Sequence, residues 1–418
     1  MTEAAPLITN DAVVLGLLMG ILAFVFWTSG SSRPFWQKFY SVVPSLLLCY
    51  FLPSLLTTFG IISGEHSQLY FVASRYLLPA SLVLLTLSID MPGIVRLGPK
   101  AVIMFLTGTV GIMLGGPLAI LIVSSFAPDV VGGAGPEAVW RGMTTIAGSW
   151  IGGGANQTAM KEVFGVGDEL FSAMIAVDVI VANVWMAVLL FAAGRSTQID
   201  AWTGADTSAI DDLRRRVQKY HAEIARIPSL RDTMIVLAVG FGVTAVAHLG
   251  ADTIAPYLQE NFPHLDRFSL TSGFFWIVVI ATTGGLLLSA TGARQLEGVG
   301  ASRLGSVLLY VLVASIGMNM DISAVLSNPG LFMVGGIWML IHVSLMLGVG
   351  KLIKAPVFFV AVGSQANVGG AASAPIVASA FHPALAPVGV LLAVLGYALG
   401  TYGAWICGLL MQRVAPAG

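Results

Sequence analysis

Two glycine-rich, amide-bearing stretches interrupt strongly apolar sequence, one in each half of the chain. They read Gly148-Ser-Trp-Ile-Gly-Gly-Gly-Ala-Asn-Gln-Thr-Ala159 and Gly363-Ser-Gln-Ala-Asn-Val-Gly-Gly-Ala-Ala-Ser-Ala374. Aligned without gaps, they share Gly148/Gly363, Ser149/Ser364, Gly154/Gly369 and Ala159/Ala374, and Thr158 meets Ser373. Interrupted backbone of this kind cannot face lipid, where each unpaired N–H or C=O costs several kcal/mol. It must line a space enclosed by protein, and paired interruptions in corresponding halves are the sequence pattern of a transporter binding site.

The surrounding sequence demands a bilayer. Of the 418 residues 56% are hydrophobic and only 10% charged, against about 25% charged in a soluble domain. The expected fold class is therefore an all-α integral membrane protein. Ten runs are long enough to cross as helices, roughly 12–29, 39–61, 69–89, 101–126, 170–194, 233–250, 268–290, 303–319, 330–350 and 384–412. The start, Met1 to Asp11, is acidic and lacks a basic stretch, so the first run is expected to be a retained span. A net charge of −1 argues against a nucleic-acid partner. Cys49 and Cys407 lie in apolar runs and read as buried thiols.

Basic residues choose the topology. With the N-terminus outside and both glycine-rich segments (138–164 and 355–381) as re-entrant hairpins, fifteen of the twenty Lys and Arg residues fall inside. Only Arg141, Lys161, Arg267 and Arg413 stay outside, with Arg75 within a span. That is the bias of a bacterial cytoplasmic (inner) membrane protein. A full crossing by the first segment would move the basic cluster Arg195–Arg231 outside. With hairpins each half crosses five times, so the halves enter from opposite sides as an inverted-topology repeat. Asp90 and Asp321 close the third span of each half, before Pro92-Gly93 and Pro329-Gly330, and Phe164 and Phe381 follow the two hairpins. The expected division is a first membrane repeat over 1–194, an inner polar connector over 195–232 and a second repeat over 233–418. In the connector, Leu213, Val217, Tyr220, Ile224 and Ile227 recur at helical spacing, and Ser208 with Asp211 suits a capping box.

Asp178 is the acid buried deepest in an apolar run, with Asn183 and Trp185 following it. A carboxylate there costs about 2.5–3.5 kcal/mol on insertion scales and usually serves function. Coordinating a coupling cation or carrying a proton is weighed against a structural helix-to-helix bond. The expected substrate-binding residues are Ser149, Gly153, Gly154, Asn156, Gln157, Ser364, Gln365, Asn367, Gly369 and Gly370. Cation binding is assigned to Asp178, Asn183, Thr158, Ser373 and Thr401. Neutral oxygens and freed carbonyls suit Na⁺, and freed amides at a half-helix N-terminus suit a carboxylate. Packing of small residues explains glycines but not clustered amides. Arg75 is read as pairing with an anionic substrate or Asp178, or as snorkelling to an interface. His342 is read as a helix-to-helix hydrogen bond. No Walker loop, His-Glu-x-x-His or Cys-x-x-Cys occurs, so neither an enzyme, a transition-metal site nor a cofactor is expected.

With its flanking spans, the Gly148–Ala159 and Gly363–Ala374 pair resembles that of the YjcL-like family of bacterial multi-pass membrane proteins, over nearly the full length. More distantly the design is similar to the sodium/glutamate and 2-hydroxycarboxylate symporters, whose two inverted halves each carry a re-entrant loop with a Gly-Gly-x-Gly motif. Gly152-Gly153-Gly154-Ala155 and Gly369-Gly370-Ala371 stand in that place here. The histidine often present in the glutamate-carrier loop is replaced by nearby Asn156 and Gln157. The resemblance implies Na⁺ as coupling ion and a homodimer. The expected function is Na⁺-coupled symport of a small organic solute, an amino acid or carboxylate, by alternating access. The alternatives are an H⁺-coupled carrier and a passive pore.

Overall fold

The computed structural model describes residues 6–416 apart from 41–42, 44, 65, 206–227, 319–327 and 383–384. The connector's amphipathic pattern, the Ser208–Asp211 cap and Asp321 therefore lie outside the described residues. Those described form helices and connecting loops. In the first half they are α1 (Asp11–Ser29), α2 (Pro34–Tyr40), α3 (Ser45–Thr58), α4 (Leu69–Leu87), α5 (Met91–Arg96), α6 (Pro99–Ser124), α7 (Val139–Phe164) and α8 (Asp168–Ala193), followed by the short α9 (Ser196–Thr203). The second half holds α10 (Leu230–Asn261), α11 (Gly273–Ser289), α12 (Ala301–Gly317), α13 (Gly330–Leu352), α14 (Val357–Val368), α15 (Gly370–Phe381) and α16 (Ala386–Val414).

Seven of the described helices are long and apolar enough to cross a membrane, or eight if α11 and the turn Gly292–Val299, bent by 95°, count as one span. Ten were expected. The shortfall falls on α3, with 14 residues, and on α11 and α12, with 17 each. α11 and α12 sit at the short end of the about 17–25 residues that span a bilayer, and α3 falls below it. α10 runs longer than expected, to 32 residues, from a capping box between Ser229 and Asp232. Both cysteines are fully buried, as expected.

The helices gather into two bundles, each taking elements from both halves of the chain. One holds the early helices α1, α3, α4, α10, α11 and α12. The other holds the later ones, α6, α7, α8 and α13 to α16. Within the early bundle, α4 contains a π-helical turn over Ala73–Leu77. Pro79 has no N–H to give the carbonyl four residues back, and His248 on α10 takes that Arg75 oxygen at 2.8 Å instead.

α7 and the α14–α15 pair each double back. Gly153 breaks α7 at φ 74°, ψ −174°, a left-handed region that glycine alone adopts at little cost. A Cβ on Gly148 would meet the Asn156 carbonyl oxygen at 2.6 Å, although eight residues of straight helix span about 12 Å. Arg141, near its start, donates to the Phe164 carbonyl at its end, and the Trp140 and Phe164 rings pack edge to face at 5.9 Å. The second hairpin turns at Gly369–Gly370, with φ 57° at Gly370. Phe358 and Phe381 close its base at 5.3 Å, again edge to face.

The two bases lie at opposite ends of the later bundle. α8 leaves the first base, where Leu170 N–H donates to Glu137 at 3.0 Å. Its 26 residues carry the chain about 39 Å. At the far end Asp200 on α9 accepts the Val357 N–H that opens the second hairpin, at 2.7 Å.

Candidate functional site

Both hairpins pack against the same two helices, α8 and α16. On the first hairpin, Asp178 of α8 is buried and both its oxygens are occupied. Trp150 Nε1 donates to one at 2.7 Å and Gln157 Nε2 to the other at 2.9 Å, with the Ser149 side chain beside them. Trp150 and Gln157 sit on opposite limbs of the hairpin, so the carboxylate ties the limbs together across the break. Tyr50, fully buried on α3, reaches Gln157 Oε1 at 3.5 Å and carries this network into the early bundle.

Two asparagines act as matching clips. Asn156 Nδ2 donates to its own Gly152 O at 3.0 Å and to Tyr397 O on α16 at 2.9 Å, while Thr401 donates to its Oδ1 at 2.6 Å. Asn367 Nδ2 donates to its own Gly363 O at 2.9 Å and to Phe105 O on α6 at 2.8 Å, while Thr109 donates to its Oδ1 at 2.8 Å. In each, a threonine stands four residues after the carbonyl that is clipped. The neighbouring backbone has to be bare for this fit. A Cβ on Gly400 would lie 2.5 Å from the Gly152 Cα, and one on Gly108 would lie 2.8 Å from Asn367 Nδ2.

The second hairpin leans on α8 and α13. Ser364 Oγ accepts from Trp185 Nε1 at 2.8 Å and lies 2.7 Å from His342 Nε2. His342 Nδ1 lies 3.1 Å from Gly108 O, and a carbonyl can only accept. Nδ1 therefore carries the proton, Nε2 is the acceptor and the Ser364 hydroxyl donates to it. His342 is thus the helix-to-helix bond expected of it. Two helical turns separate Asp178 from Trp185, so α8 grips both hairpins.

At the second break Gln365 folds over Gly369. A Cβ there would land on the Gln365 carboxamide and on Ser373 Oγ, and Gln365 Nε2 donates to that Oγ at 2.6 Å. Gln365 Oε1 is buried with no hydrogen-bond partner. Gly153 and Gly154 are half-buried. A Cβ on Gly153 would meet the Tyr397 ring at 3.6 Å, and one on Gly154 would meet Leu309 of α12 at 3.8 Å.

Thr401 is brought to Asn156 and onward to Thr282 of α11 at 3.1 Å. Thr158 is buried and turns on Gly154 O at 3.0 Å. Asn183 is not brought to Asp178. It is half-buried and donates to its own Val179 O at 2.7 Å. Arg75 meets Glu162 of the first hairpin at 3.3 Å, not Asp178, because the two lie at different depths of the bundle. Around that pair Tyr70 donates to Glu162, and Lys161 reaches Tyr70 at 3.1 Å and Asp168 at 2.6 Å. Sequence reasoning passed over this cluster, Tyr50 and Trp150. Trp150 stood inside the glycine-rich stretch, whereas nothing marked Tyr50.

These features define a multi-pass helical membrane protein built around two broken hairpins. The chain belongs to the family described as "Protein of unknown function (DUF819)", whose model matches residues 16–414. It is 25% identical over 386 residues to the "Uncharacterized membrane protein YjcL" of Bacillus subtilis (strain 168), covering 87% of this chain and 89% of that one. The YjcL-like resemblance read from the glycine-rich stretches is the one found.

Proposed function

We propose that this protein is a secondary active transporter that couples Na⁺ to the symport of a small organic solute by alternating access. The observation that carries the reading is the pair of glycine-broken hairpins opening to opposite ends of one bundle, with Asp178 buried against the first. Broken helices with freed backbone at mid-depth are where such carriers bind ion and solute, and a buried acid beside them supplies charge for a cation. On this reading the hairpins are re-entrant, the short helices α3, α11 and α12 complete ten crossings, and the halves form an inverted repeat. The N-terminus lies outside the bacterial inner membrane. The early bundle is the scaffold, paired in a homodimer as in the carriers the chain resembles, and the later bundle is the moving part.

One observation favours H⁺ as the second reading for the ion. The groups on the Asp178 oxygens are the Trp150 and Gln157 N–H donors, with the Ser149 hydroxyl beside them, which leaves few oxygens there for a Na⁺ shell. Uptake by purified protein in liposomes, under imposed Na⁺ and pH gradients, tests both. Accumulation against a gradient driven by one ion identifies the couple. Equilibration that follows neither gradient would mean a passive pore and end the carrier reading.

A further inference from the structure

The second hairpin carries no charge, and its one open polar group has a definite chemistry. Neither half-helix, α14 or α15, contains an ionisable residue. Among the described residues of the elements packed against them, the Asp, Glu, Lys, Arg and His side chains away from the helix ends are Asp178, His342 and, at the base of the hairpin on Val357 N–H, Asp200. Asp178 is held by the first hairpin, and both ring nitrogens of His342 are placed between Gly108 O and Ser364. Among the described residues a solute with net charge would find no opposite charge at this break, and burying an unpaired charge is strongly unfavourable.

Gln365 nonetheless buries an empty acceptor. The residue is 1% exposed and its Oε1 has no partner, which is rare in a folded protein and calls for a missing donor. Beside it Ser373 Oγ already accepts from Gln365 Nε2. Among the described residues no acceptor sits on the Ser373 hydroxyl proton, so that proton is available. Turning the carboxamide over would reverse its bond to Ser373 and leave its N–H pair empty instead. One end of Gln365 is open either way. The backbone adds two partial charges, because the C-terminal end of α14 is negative and the N-terminal end of α15 positive, and both meet at Gly369–Gly370.

We infer that the Gln365–Ser373 break binds a neutral amino acid as its zwitterion, with the ammonium group on Gln365 Oε1 and the carbonyl end of α14, and the carboxylate on the Ser373 hydroxyl and the amide end of α15. A zwitterion brings its own balancing charges and so suits a site with none. Binding of this class stands on the geometry of the break, and its transport rests on the carrier reading above.

The test is binding by purified full-length protein, read as the thermal midpoint and by calorimetry, with and without NaCl. The probes are L-alanine, L-serine, L-leucine and L-glutamine against succinate, citrate and putrescine. At least one neutral amino acid is expected to bind, and succinate, citrate and putrescine are not. Gln365→Leu should weaken that binding about tenfold or more, the usual size of a lost hydrogen bond to a charged group, and Ser373→Ala should weaken it less. Without ligand, Gln365→Leu should melt at or above the wild-type midpoint, because it replaces an unsatisfied buried amide by an apolar group. A purely structural Gln365 would lower that midpoint. Succinate or citrate binding that Gln365→Leu leaves unchanged, or no neutral amino acid bound by the wild type, overturns the inference. The carrier reading fails separately. Amino-acid binding without ion-driven uptake would remove it and leave this site standing, and ion-driven uptake of a dicarboxylate would do the reverse.

Discussion

The two hairpins share a break at glycine and a closing aromatic pair, and they differ in what their polar groups have left to give. At Gly153 the groups are saturated: Asn156 uses both its ends, and Asp178 accepts on both oxygens. At Gly369–Gly370 no charge is present in either limb, and Gln365 keeps a buried oxygen empty. The breaks are also packed differently. α16 meets both hairpins backbone to backbone, Gly400 against Gly152 and Gly389 against the Ala374 carbonyl, but at the break itself a Cβ on Gly153 would touch the Tyr397 ring at 3.6 Å, while one on Gly370 would meet nothing within 4 Å. On the proposed reading the saturated node supplies the one acid, and an ion bound there has to displace its hydrogen-bond donors. An open, uncharged node suits a solute whose own polar atoms complete it. On the proposed reading, the likeness of the two motifs in sequence conceals a division of work between them.

The packing difference makes the largest prediction. Gly400→Val forces a branched side chain into the Gly152 backbone, which has no rotamer to yield. It should destabilise by about 3 kcal/mol or more, the upper range of overpacking, and leave little folded protein. Gly370→Ala meets only the cost of a left-handed residue, about 1 kcal/mol. Thermal midpoints of the two variants in detergent check this, and equal losses would mean that the breaks are packed alike after all.

The division of work is tested next at Asp178. Asp178→Asn keeps the volume and removes the charge, so on the proposed reading ion coupling should vanish while the fold persists. Substrate binding at Gln365 should survive in a weakened, ion-independent form. Should Na⁺ and pH dependence of uptake both persist in Asp178→Asn, the acid is a structural tie between Trp150 and Gln157, and the first hairpin loses its claim to the ion.

How much of this was legible beforehand follows from the reach of each signal. The breaks were readable because glycine and amides inside apolar sequence are a local anomaly. Asp178 was readable because a carboxylate in a span is costly wherever the helix lies. The partners of these groups were not. Tyr50 reaches Gln157 across 107 positions of sequence and Thr109 reaches Asn367 across 258, and nothing local distinguishes a buried Tyr or Thr that makes such a bond from one that does not. Asn183 shows the converse error. Its distance of five residues from Asp178 suggested a shared site, but five residues do not bring it to the same helix face, and it bonds its own helix instead. Span counting is least secure at α3, α11 and α12, because hydropathy sees apolar length and not the bend that ends a helix.

A third experiment asks whether the first hairpin is also locked to the early bundle. Arg75 and Tyr70 of α4 hold Glu162, and Lys161 lies over the Tyr70 ring at 4.7 Å. The Arg75–Glu162 pair is partly exposed, with side-chain exposures of 32% and 15%, so its contribution is about 1 kcal/mol or less. That is still enough to shift two nearly balanced conformations several-fold. Glu162→Gln should therefore increase thiol labelling of a cysteine placed at Ser67, near the end of the bundle where this latch lies, with little change in midpoint. Unchanged labelling would show that the cluster does not restrain the bundles.

The smallest effect expected concerns how the second hairpin is anchored. Its first turn is capped from outside, by Asp200 on the helix that follows α8, whereas the first hairpin lends its own approach, Glu137, to cap α8. Burial raises the Asp200 carboxyl above its ordinary range, opposed in part by the bond from Val357 N–H. An acid whose folded pKa is raised contributes stability that is fully present below its unfolded value and lost as pH rises through the folded one. Asp200→Asn keeps an acceptor for Val357 without that loss, so relative to wild type it should gain stability as pH rises from about 4, the ordinary range of an Asp carboxyl, towards neutrality. Asp200→Ala removes the cap itself and should cost about 1 kcal/mol at either pH. If the connector acts on the second hairpin through this bond, Asp200→Ala should also weaken amino-acid binding at Gln365 while leaving the Asp178 ion dependence intact, because the two breaks are gripped at different turns of α8. Parallel melting curves for wild type and Asp200→Asn across that pH range would mean that Asp200 is too well hydrated to sense the burial the fold imposes.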